Sequence, residues 1–204
     1  MTLNMYWQNQ LNAAVLKPIL EGEISRVAVL GIGSQLHGDD AVGIMIVRAL
    51  KQNGFYNERL LVVNAGIAPE NKLVKLRQFA PDLVLMIDAA QMGLEPGSVC
   101  CLDPQKIDGF SFSSHTLPLQ VLCNYITLEI GSRVSILGIQ PEDISFGAAL
   151  SPLVSDSIGA VLPALVEILK PTHFAADLCV QEEKLNNVQI PGSAYDWLPV
   201  THQE

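Results

Sequence analysis

Two adjacent carboxylates, Asp39 and Asp40, are the side chains in this sequence whose types and position best suit chemistry. They end the stretch VAVLGIGSQLHGDD, in which a short apolar run of β-type residues from Val27 leads into a glycine-rich turn. An apolar run long enough for a buried helix, Ala41–Leu50, follows them directly. Because α/β proteins place ligands and reactive groups at such strand-to-helix junctions, the pattern predicts a functional site here.

A third carboxylate and a histidine extend this candidate site. Asp88 ends another apolar run, LVLMID, and the carboxyl ends of parallel strands lie on the same edge of a sheet, so Asp88 is expected near Asp40. His115 follows Ser113 and Ser114, which resemble N-cap residues, and this places it at the start of a helix. Two carboxylates and an imidazole suit a borderline divalent metal such as nickel, zinc or manganese, with positions left open for substrate.

Each of these residues also has a simpler structural interpretation. Asp39 is the member of the acid pair more typical of a helix N-cap, which stabilises a helix by about 1 kcal/mol. Asp88 suits a turn, and His115 suits a hydrogen bond within a loop. His37 is typical of an exposed loop histidine and is not assigned to the site. From residue types and spacing alone, the metal site and the structural interpretation both remain open.

Other chemistries fit the sequence less well. The nucleotide motif G-x-G-x-x-G would need glycine where Leu36 stands, and Asp39 and Asp40 would repel a phosphate at the helix start. The sequence GIGSQ is not the nucleophile motif G-x-S-x-G, and no cysteine lies in a helix-initiating turn. A nucleotide-binding α/β enzyme is therefore kept only as a weaker alternative.

Composition narrows the class of protein. The 204 residues are 49% apolar and 16% charged, which indicates one domain with a sizeable core. The net charge of −9 disfavours nucleic-acid binding. No apolar run approaches about 18 residues without charged or turn residues, so no membrane span is expected.

The four cysteines show no C-x-x-C spacing, which favours buried thiols in a reducing compartment and a cytoplasmic protein. They are Cys100, Cys101, Cys123 and Cys179.

Apolar segments of β type and of helical type alternate along the chain. This alternation predicts an α/β fold with three layers, in which helices cover both faces of a mainly parallel five-stranded sheet. The turn EPGS predicts that one strand is antiparallel. The predicted strands are Val27–Ile32, Leu60–Val63, Leu83–Asp88, Val99–Leu102 and Arg133–Ile139, and the predicted helices are Ala41–Leu50, Pro69–Phe79, Thr116–Ile130 and Pro152–Lys170.

Two segments flank this alternating region. Trp7, Leu11, Val15 and Ile19 recur every four residues, which predicts an amphipathic helix in an N-terminal extension over residues 1–26. Residues 27–170 form the predicted domain, and residues 171–204 form a polar C-terminal tail.

Five motifs in order resemble those of the [NiFe]-hydrogenase maturation endopeptidases. They are GIGSQLHGDDAVG, NAGIAPEN, LMIDAAQMGLEPG, SSHTLPL and ILGIQP, and together they extend over roughly residues 27–170. Their APEN, H-x-x-P-L and G-I-Q-P elements are most similar to the branch that processes the large subunit of the formate-linked hydrogenase. The resemblance implies a twisted, mainly parallel sheet of five strands between helices.

The resemblance also implies a function and a site. Members of the family remove a short C-terminal extension from the hydrogenase large-subunit precursor after nickel insertion. Asp40, Asp88 and His115 match the residues with which the family recognises nickel, and Asp40 and Asp88 are then the candidate catalytic carboxylates. The nickel arrives on the precursor. A bound metal polarises a scissile carbonyl or activates water, with a carboxylate as base.

Two departures from the family pattern leave an alternative function. Ser34 stands where the family usually has asparagine, and Asn64-Ala65-Gly66 replaces its D-G-G. A hydroxyl reaches less far than an amide, and the second change removes a charge. These departures motivate the alternative of a non-catalytic maturation factor that binds the nickel-loaded large subunit without trimming it.

Overall fold

A central sheet carries the candidate site residues. The computed structural model describes residues 6–104, 111–112 and 118–174. The described strands of the sheet are β1 Val27–Ile32, β2 Leu60–Gly66, β3 Leu83–Gln91, β4 Val99–Leu102, β5 Ser111–Phe112 and β6 Arg133–Ile139. The sheet order is β2-β1-β3-β6-β4, and β5 pairs with the end of β3.

The sheet confirms the predicted mainly parallel arrangement. Strands β1, β2, β3 and β6 are mutually parallel, and β4 is antiparallel to β6. The antiparallel strand after the EPGS turn was therefore predicted, but its partner is β6 and not the preceding strand β3. Strand β5 was not predicted, because its two residues are too few to show a period in the sequence.

Helices cover both faces of the sheet. Helices α1 and α2 are joined by a π-helical turn, Asn12–Leu16, and a second π-helical turn, Ile126–Ile130, follows α5. Among the described residues, short 3₁₀ turns occur at Gly38–Ala41, Pro69–Lys72 and Pro171–Phe174. The α-helices are α1 Tyr6–Leu11, α2 Lys17–Leu20, α3 Val42–Gln52, α4 Leu73–Phe79, α5 Leu119–Tyr125 and α6 Pro152–Ile168.

Each face of the sheet has its own apolar core. In β1, Val27 and Val29 pack into one core with α1, α2, α3 and α6, whereas Ala28 and Leu30 pack into the other with α4 and α5. All six residues of β1 are buried. A strand buried on both faces needs apolar side chains at every position, which is why VAVLGI lacks the alternation of a half-exposed strand.

The predicted N-terminal helix is confirmed and belongs to the main core. Trp7, Leu11, Val15 and Ile19 are all at most 3% exposed. On a regular α-helix of 3.6 residues per turn, side chains four residues apart are offset by about 40° around the helix axis, so a run with this spacing gradually leaves one face. The wider π-helical turn at Asn12–Leu16 counters this drift and keeps the four side chains on one face.

One helical segment of the described residues, Pro152–Phe174, is long and apolar enough to cross a membrane by length and composition alone. In this fold the segment is apolar because it packs into the core, and 56% of its most apolar window is buried inside the protein. Side chains such as Val154, Val161 and Leu165 are fully buried in the core shared with α3.

Candidate active site

The turn after β1 is shaped around the backbone of Asp40. The Ser34 N–H donates to the Asp40 carbonyl oxygen at 3.2 Å, and the Gly33 N–H donates to the Gly66 carbonyl oxygen at 3.1 Å. A Cβ on Gly33, whose φ is +122°, would lie 1.8 Å from the Asp40 carbonyl oxygen. Only glycine fits here, so this part of the glycine-rich motif positions Asp40.

Two further glycines let α3 approach the ends of β1 and β3. A Cβ on Gly31 would lie 2.1 Å from the Gly43 carbonyl oxygen, and a Cβ on Gly43 would lie 2.1 Å from the Ile87 carbonyl oxygen. Backbone therefore packs directly on backbone at this junction. The 3₁₀ turn Gly38–Ala41, which precedes α3, contacts β3 as a result, and this contact brings Asp40 towards the strand that carries Asp88.

Asp39 is a buried anchor for a distant loop, so the prediction that it caps the helix is wrong. No side chain of the described residues caps the turn or α3. The fully buried Asp39 carboxylate accepts four hydrogen bonds: from the N–H groups of Glu142, Asp143 and Ser151 at 2.7–3.0 Å, and from the Ser151 hydroxyl at 2.9 Å. These donors lie over 100 residues away in sequence and satisfy the charge without a cation.

The neighbouring Asp40 carboxylate has a contrasting environment. The residue is 5% exposed, and its Oδ1 atom is buried without a hydrogen-bond donor in the described part of the chain. A buried carboxylate oxygen without a donor is energetically costly, and such groups call for an explanation in terms of an ion, a ligand or catalysis. Asp40 therefore has the property expected of a residue whose partner arrives from outside.

Asp88 lies inside β3 and not at its end. The strand continues three residues further to Gln91, and Asp88 pairs with Gly138 of β6. The interpretation of Asp88 as a turn former is therefore wrong. Pairing between β1 and β3 stops one residue earlier, at Gly31 and Ile87, so the fully buried Asp88 lies level with the end of β1, from which the turn leads to Asp40. Both residues therefore lie near the carboxyl end of β1, as predicted, although Asp88 does not end its own strand.

The third predicted residue, His115, lies outside the described residues. Strand β5 ends three residues before it, and the backbone of Phe112 pairs with Ala90, two residues beyond Asp88. Within residues 6–104, 111–112 and 118–174 no three His, Cys, Asp or Glu side chains are grouped as a metal site, and that range does not include His115. The three-ligand set therefore stays a prediction.

Gln140 holds the loop after β3 and was not assigned a role from the sequence. Its buried side-chain carbonyl oxygen accepts from the N–H groups of Met92 at 2.7 Å and Leu94 at 3.3 Å, and its amide group donates to Gln91 Oε1 at 2.7 Å. The G-I-Q-P motif was the available signal. A buried amide that bridges two loops explains the glutamine in that motif.

The two residues that depart from the family pattern serve local turns. Ser34 Oγ lies 2.9 Å from His37 Nδ1 and accepts from the Leu36 N–H at 3.3 Å. Asn64 Oδ1 accepts from the Gly66 N–H at 3.0 Å. His37 is half-buried, with its ring 5.4 Å from that of Phe146, so it is not the exposed loop histidine that was predicted.

Glu70, in the APEN motif, is a second carboxylate without a donor for a buried oxygen. It lies in the 3₁₀ turn that follows β2, and its Oε2 atom is buried without a hydrogen-bond partner in the described ranges. Glu70 was not predicted as a site residue, although APEN is one of the motifs that carry the resemblance. Its position after β2 places it at the same edge of the sheet as Asp40.

The described thiols are not suited to nucleophilic catalysis. Burial, with a smaller contribution from Cys100, raises the pKa of Cys101 to about 11, and burial raises the pKa of Cys123 to about 12. Burial also raises the pKa of Cys100. All three therefore stay protonated at neutral pH, and the thiolate is the reactive form.

A three-layer α/β fold with two buried carboxylates near the carboxyl end of β1 is compatible with a hydrolase, but such a fold hosts many activities, so the class has to come from the relatives of the chain. The family model described as "Hydrogenase maturation protease" matches residues 44–168, which is more than half of the chain. The chain belongs to this family of peptidases.

Individual relatives agree with the family model. The chain is 33% identical over 156 residues to the hydrogenase 3 maturation protease of Escherichia coli, and the match covers 76% of this chain and 97% of the relative. The structure of the [NiFe] hydrogenase maturation protease HycI from Thermococcus kodakarensis superposes with a TM-score of 0.67 at 32% identity, over 76% of this chain and 97% of that one. The Escherichia coli endopeptidase HybD, at 23% identity and a TM-score of 0.57, shares the fold over 71% of this chain and 91% of its own.

Proposed function

We propose that this protein is the endopeptidase that removes the C-terminal extension of a [NiFe]-hydrogenase large-subunit precursor after nickel insertion. In this proposal Asp40, Asp88 and His115 recognise the nickel that the precursor carries, and the reaction takes place in the cytoplasm. The metal is part of the substrate, so the peptidase itself needs only an incomplete set of ligands.

The observation that supports this proposal most directly is the buried, unpartnered Oδ1 atom of Asp40. The adjacent Asp39 shows that this fold can satisfy a buried carboxylate with four donors where a structural role requires it. At Asp40 the described chain supplies no donor to that oxygen. A divalent cation that arrives with the substrate would provide the missing partner and would offset the cost of the buried charge.

Chain length is compatible with a contribution from His115. His115 follows Phe112 by three positions, and three residue steps span at most about 11 Å when fully extended. The backbone of Phe112 is paired with Ala90 of β3, on the same strand as Asp88. A histidine within this reach is a suitable nitrogen ligand beside the two carboxylates for a borderline metal such as nickel.

In the proposed reaction Asp40 and Asp88 have two tasks. They orient the precursor through its metal, which places the scissile bond at the edge of the sheet. One of them also accepts a proton from the attacking water, which needs a carboxylate in the ionised form within hydrogen-bond reach. The metal of the substrate supplies the Lewis acid that polarises the scissile carbonyl.

The direct test compares a nickel-loaded precursor with the same precursor prepared without nickel. We expect this protein to shorten only the loaded form, and mass spectrometry of the product would locate the cut near the C-terminus. Equal cleavage of both forms would refute nickel recognition. Stable binding of the loaded precursor without any cleavage would support the non-catalytic maturation factor instead.

A further inference from the structure

The edge of the sheet formed by β2 carries a groove that no part of the proposed reaction uses. A cavity of about 460 Å³ lies along Leu60–Val62, between Lys51 of α3 and the residues Lys75 and Phe79 of α4. Among the described strands β2 pairs only with β1, so its other side presents backbone groups that no described strand pairs. An uncovered edge of this kind can pair with another extended segment, and proteins usually protect it.

Lys51 and Lys75 line this groove, and Lys72 interacts electrostatically with Lys51, so the groove is positive in a protein of net charge −9. The ion pairs between described residues use Lys17, Lys170, Arg77 and Arg133, whereas Lys51, Lys72 and Lys75 take part in none of them. Burial, and then repulsion from Lys75 and Lys72, lowers the pKa of Lys51. The lysines therefore repel one another, and an anionic partner would relieve that repulsion.

The chain itself passes close to one end of the groove. Phe174, the last described residue, is buried in the main core, and its carbonyl oxygen accepts a hydrogen bond from the guanidinium of Arg59. Arg59 directly precedes Leu60, the first residue of β2. Residues 175–204 therefore start beside the strand whose outer edge is uncovered.

The first part of that segment has the composition that the groove requires. Residues 175–183 read AADLCVQEE and contain three carboxylates, Asp177, Glu182 and Glu183, and no cation. Between the carboxylates lies the short apolar run Leu178–Val180, which is compatible with an extended strand. About nine residues in extended form span roughly 30 Å, so the segment is longer than β2.

We propose that residues 175–183 bind in the groove along the outer edge of β2, with their carboxylates paired to Lys51, Lys72 and Lys75. The segment then protects the edge strand and covers its apolar side chains. This inference does not depend on the proposed peptidase reaction, because the groove is built from β2, α3 and α4 and its test requires no precursor.

A zero-length carbodiimide cross-linker applied to the full chain tests the proposal. We expect amide links from Lys51, Lys72 or Lys75 to Asp177, Glu182 or Glu183, identified by mass spectrometry. The exposed pair Lys17 and Glu21, 3.7 Å apart, is an internal control for the reagent. A mixture of ¹⁴N- and ¹⁵N-labelled protein distinguishes links within one chain from links between two copies.

Three results would overturn the proposal. Links that join differently labelled chains in the statistical proportion expected for pairing between copies would show that a second copy occupies the groove. A control link without any link to the groove lysines would show that the segment lies elsewhere. Equal coupling of the tail carboxylates to all exposed lysines would show an unspecific attraction.

Hydrogen exchange of the full chain supplies an independent readout. We expect Lys51→Glu with Lys75→Glu to accelerate exchange in residues 175–183 by about tenfold, as expected for two lost exposed ion pairs replaced by repulsion. The matched control, Lys17→Glu with Lys170→Glu, reverses two charges outside the groove and is expected to change nothing there. Should the groove variant fail to fold, Asp177→Asn with Glu182→Gln and Glu183→Gln removes the same pairs, and unchanged exchange in it would refute the proposal.

Discussion

Asp39 and Asp40 are neighbours in sequence and both are buried, yet their environments are opposite. Asp39 accepts four hydrogen bonds from the loop 142–151, and Asp40 keeps an oxygen atom without a donor in the described part of the chain. The first arrangement stabilises the fold because every partner is internal. The second is costly, and in the proposed function the metal of the precursor is the partner that offsets this cost. The difference distinguishes a carboxylate with a structural role from the one that we propose to act on the substrate.

The largest expected effect is on stability, at Asp39. An asparagine at this position puts an amide NH₂ group among N–H donors and leaves some of them unsatisfied, so Asp39→Asn should lower the free energy of unfolding by about 3 kcal/mol. Urea denaturation of this variant beside Asp40→Asn measures the contrast. Asp40→Asn removes a poorly satisfied charge and should change stability by less than about 1 kcal/mol. Equal losses of unfolding free energy in Asp39→Asn and Asp40→Asn would contradict the distinction between a well-satisfied and a poorly satisfied carboxylate.

The next effect is on activity, at the proposed site. Asp40→Asn and Asp88→Asn should each lower the rate of precursor processing by about 100-fold or more, because a carboxylate that binds metal or accepts a proton is lost. His115→Ala should do the same. Circular dichroism must show that each variant is folded. A folded variant that processes the precursor at the normal rate removes that residue from the site.

A smaller effect is expected at Ser151, which joins the Asp39 anchor to α6. Its hydroxyl donates to Asp39 Oδ2 and accepts from the Val154 N–H at 3.4 Å, so it caps the helix as well. Ser151→Ala should lower the free energy of unfolding by about 1–2 kcal/mol. In a double-mutant cycle with Asp39→Asn the two losses should not be additive, since both disturb the same network. Additive losses would indicate independent roles.

The smallest effect is expected at Asp82, a second satisfied carboxylate at the opposite edge of the sheet. Burial raises its pKa, but hydrogen bonds from the N–H groups of Ser25 and Arg26 and from the Ser25 hydroxyl outweigh burial and lower it. A lowered pKa contributes stability above the unfolded value of about 3.9, and this contribution is lost as the pH falls through the folded pKa.

We therefore expect Asp82→Asn to cost about 0.5 kcal/mol at pH 7, since the half-buried carboxylate is partly screened by solvent. This cost should shrink towards zero as the pH falls below about 3.9. Chemical denaturation of both proteins at several pH values measures the difference. A cost that stays constant down to about pH 2 would contradict the assignment of the effect to the ionised carboxylate.

Much of the fold was predictable from its apolar strands, of which the central β1 and all but the last residue of β3 are buried on both faces. Val27–Ile32, Val99–Leu102 and Arg133–Ile139 were predicted with the bounds that the structure has. Such strands appear as short apolar runs bounded by turn residues. The extension of β3 beyond Asp88 and the pairing of β5 were missed, because they depend on neighbouring strands and leave no local period.

The candidate site was predicted in part. The position of Asp40 and Asp88 at one edge follows from strand direction and was correctly expected. The prediction that Asp39 is a helix N-cap was wrong, because its hydrogen-bond donors in Glu142, Asp143 and Ser151 lie too far along the chain for any local pattern to reveal them.

Residue types and their order were enough to identify the α/β class, the family and the glycine-rich turn that presents two carboxylates, since all three depend on local patterns. Long-range contacts in the folded chain were needed to identify which carboxylate is structural. Hydrogen bonds from a loop over 100 residues away reach Asp39 and do not reach Asp40 Oδ1. Both aspartates are buried and lose contact with water. Internal hydrogen-bond donors compensate for that loss at Asp39 and do not do so at Asp40 Oδ1, so two chemically identical side chains have different environments.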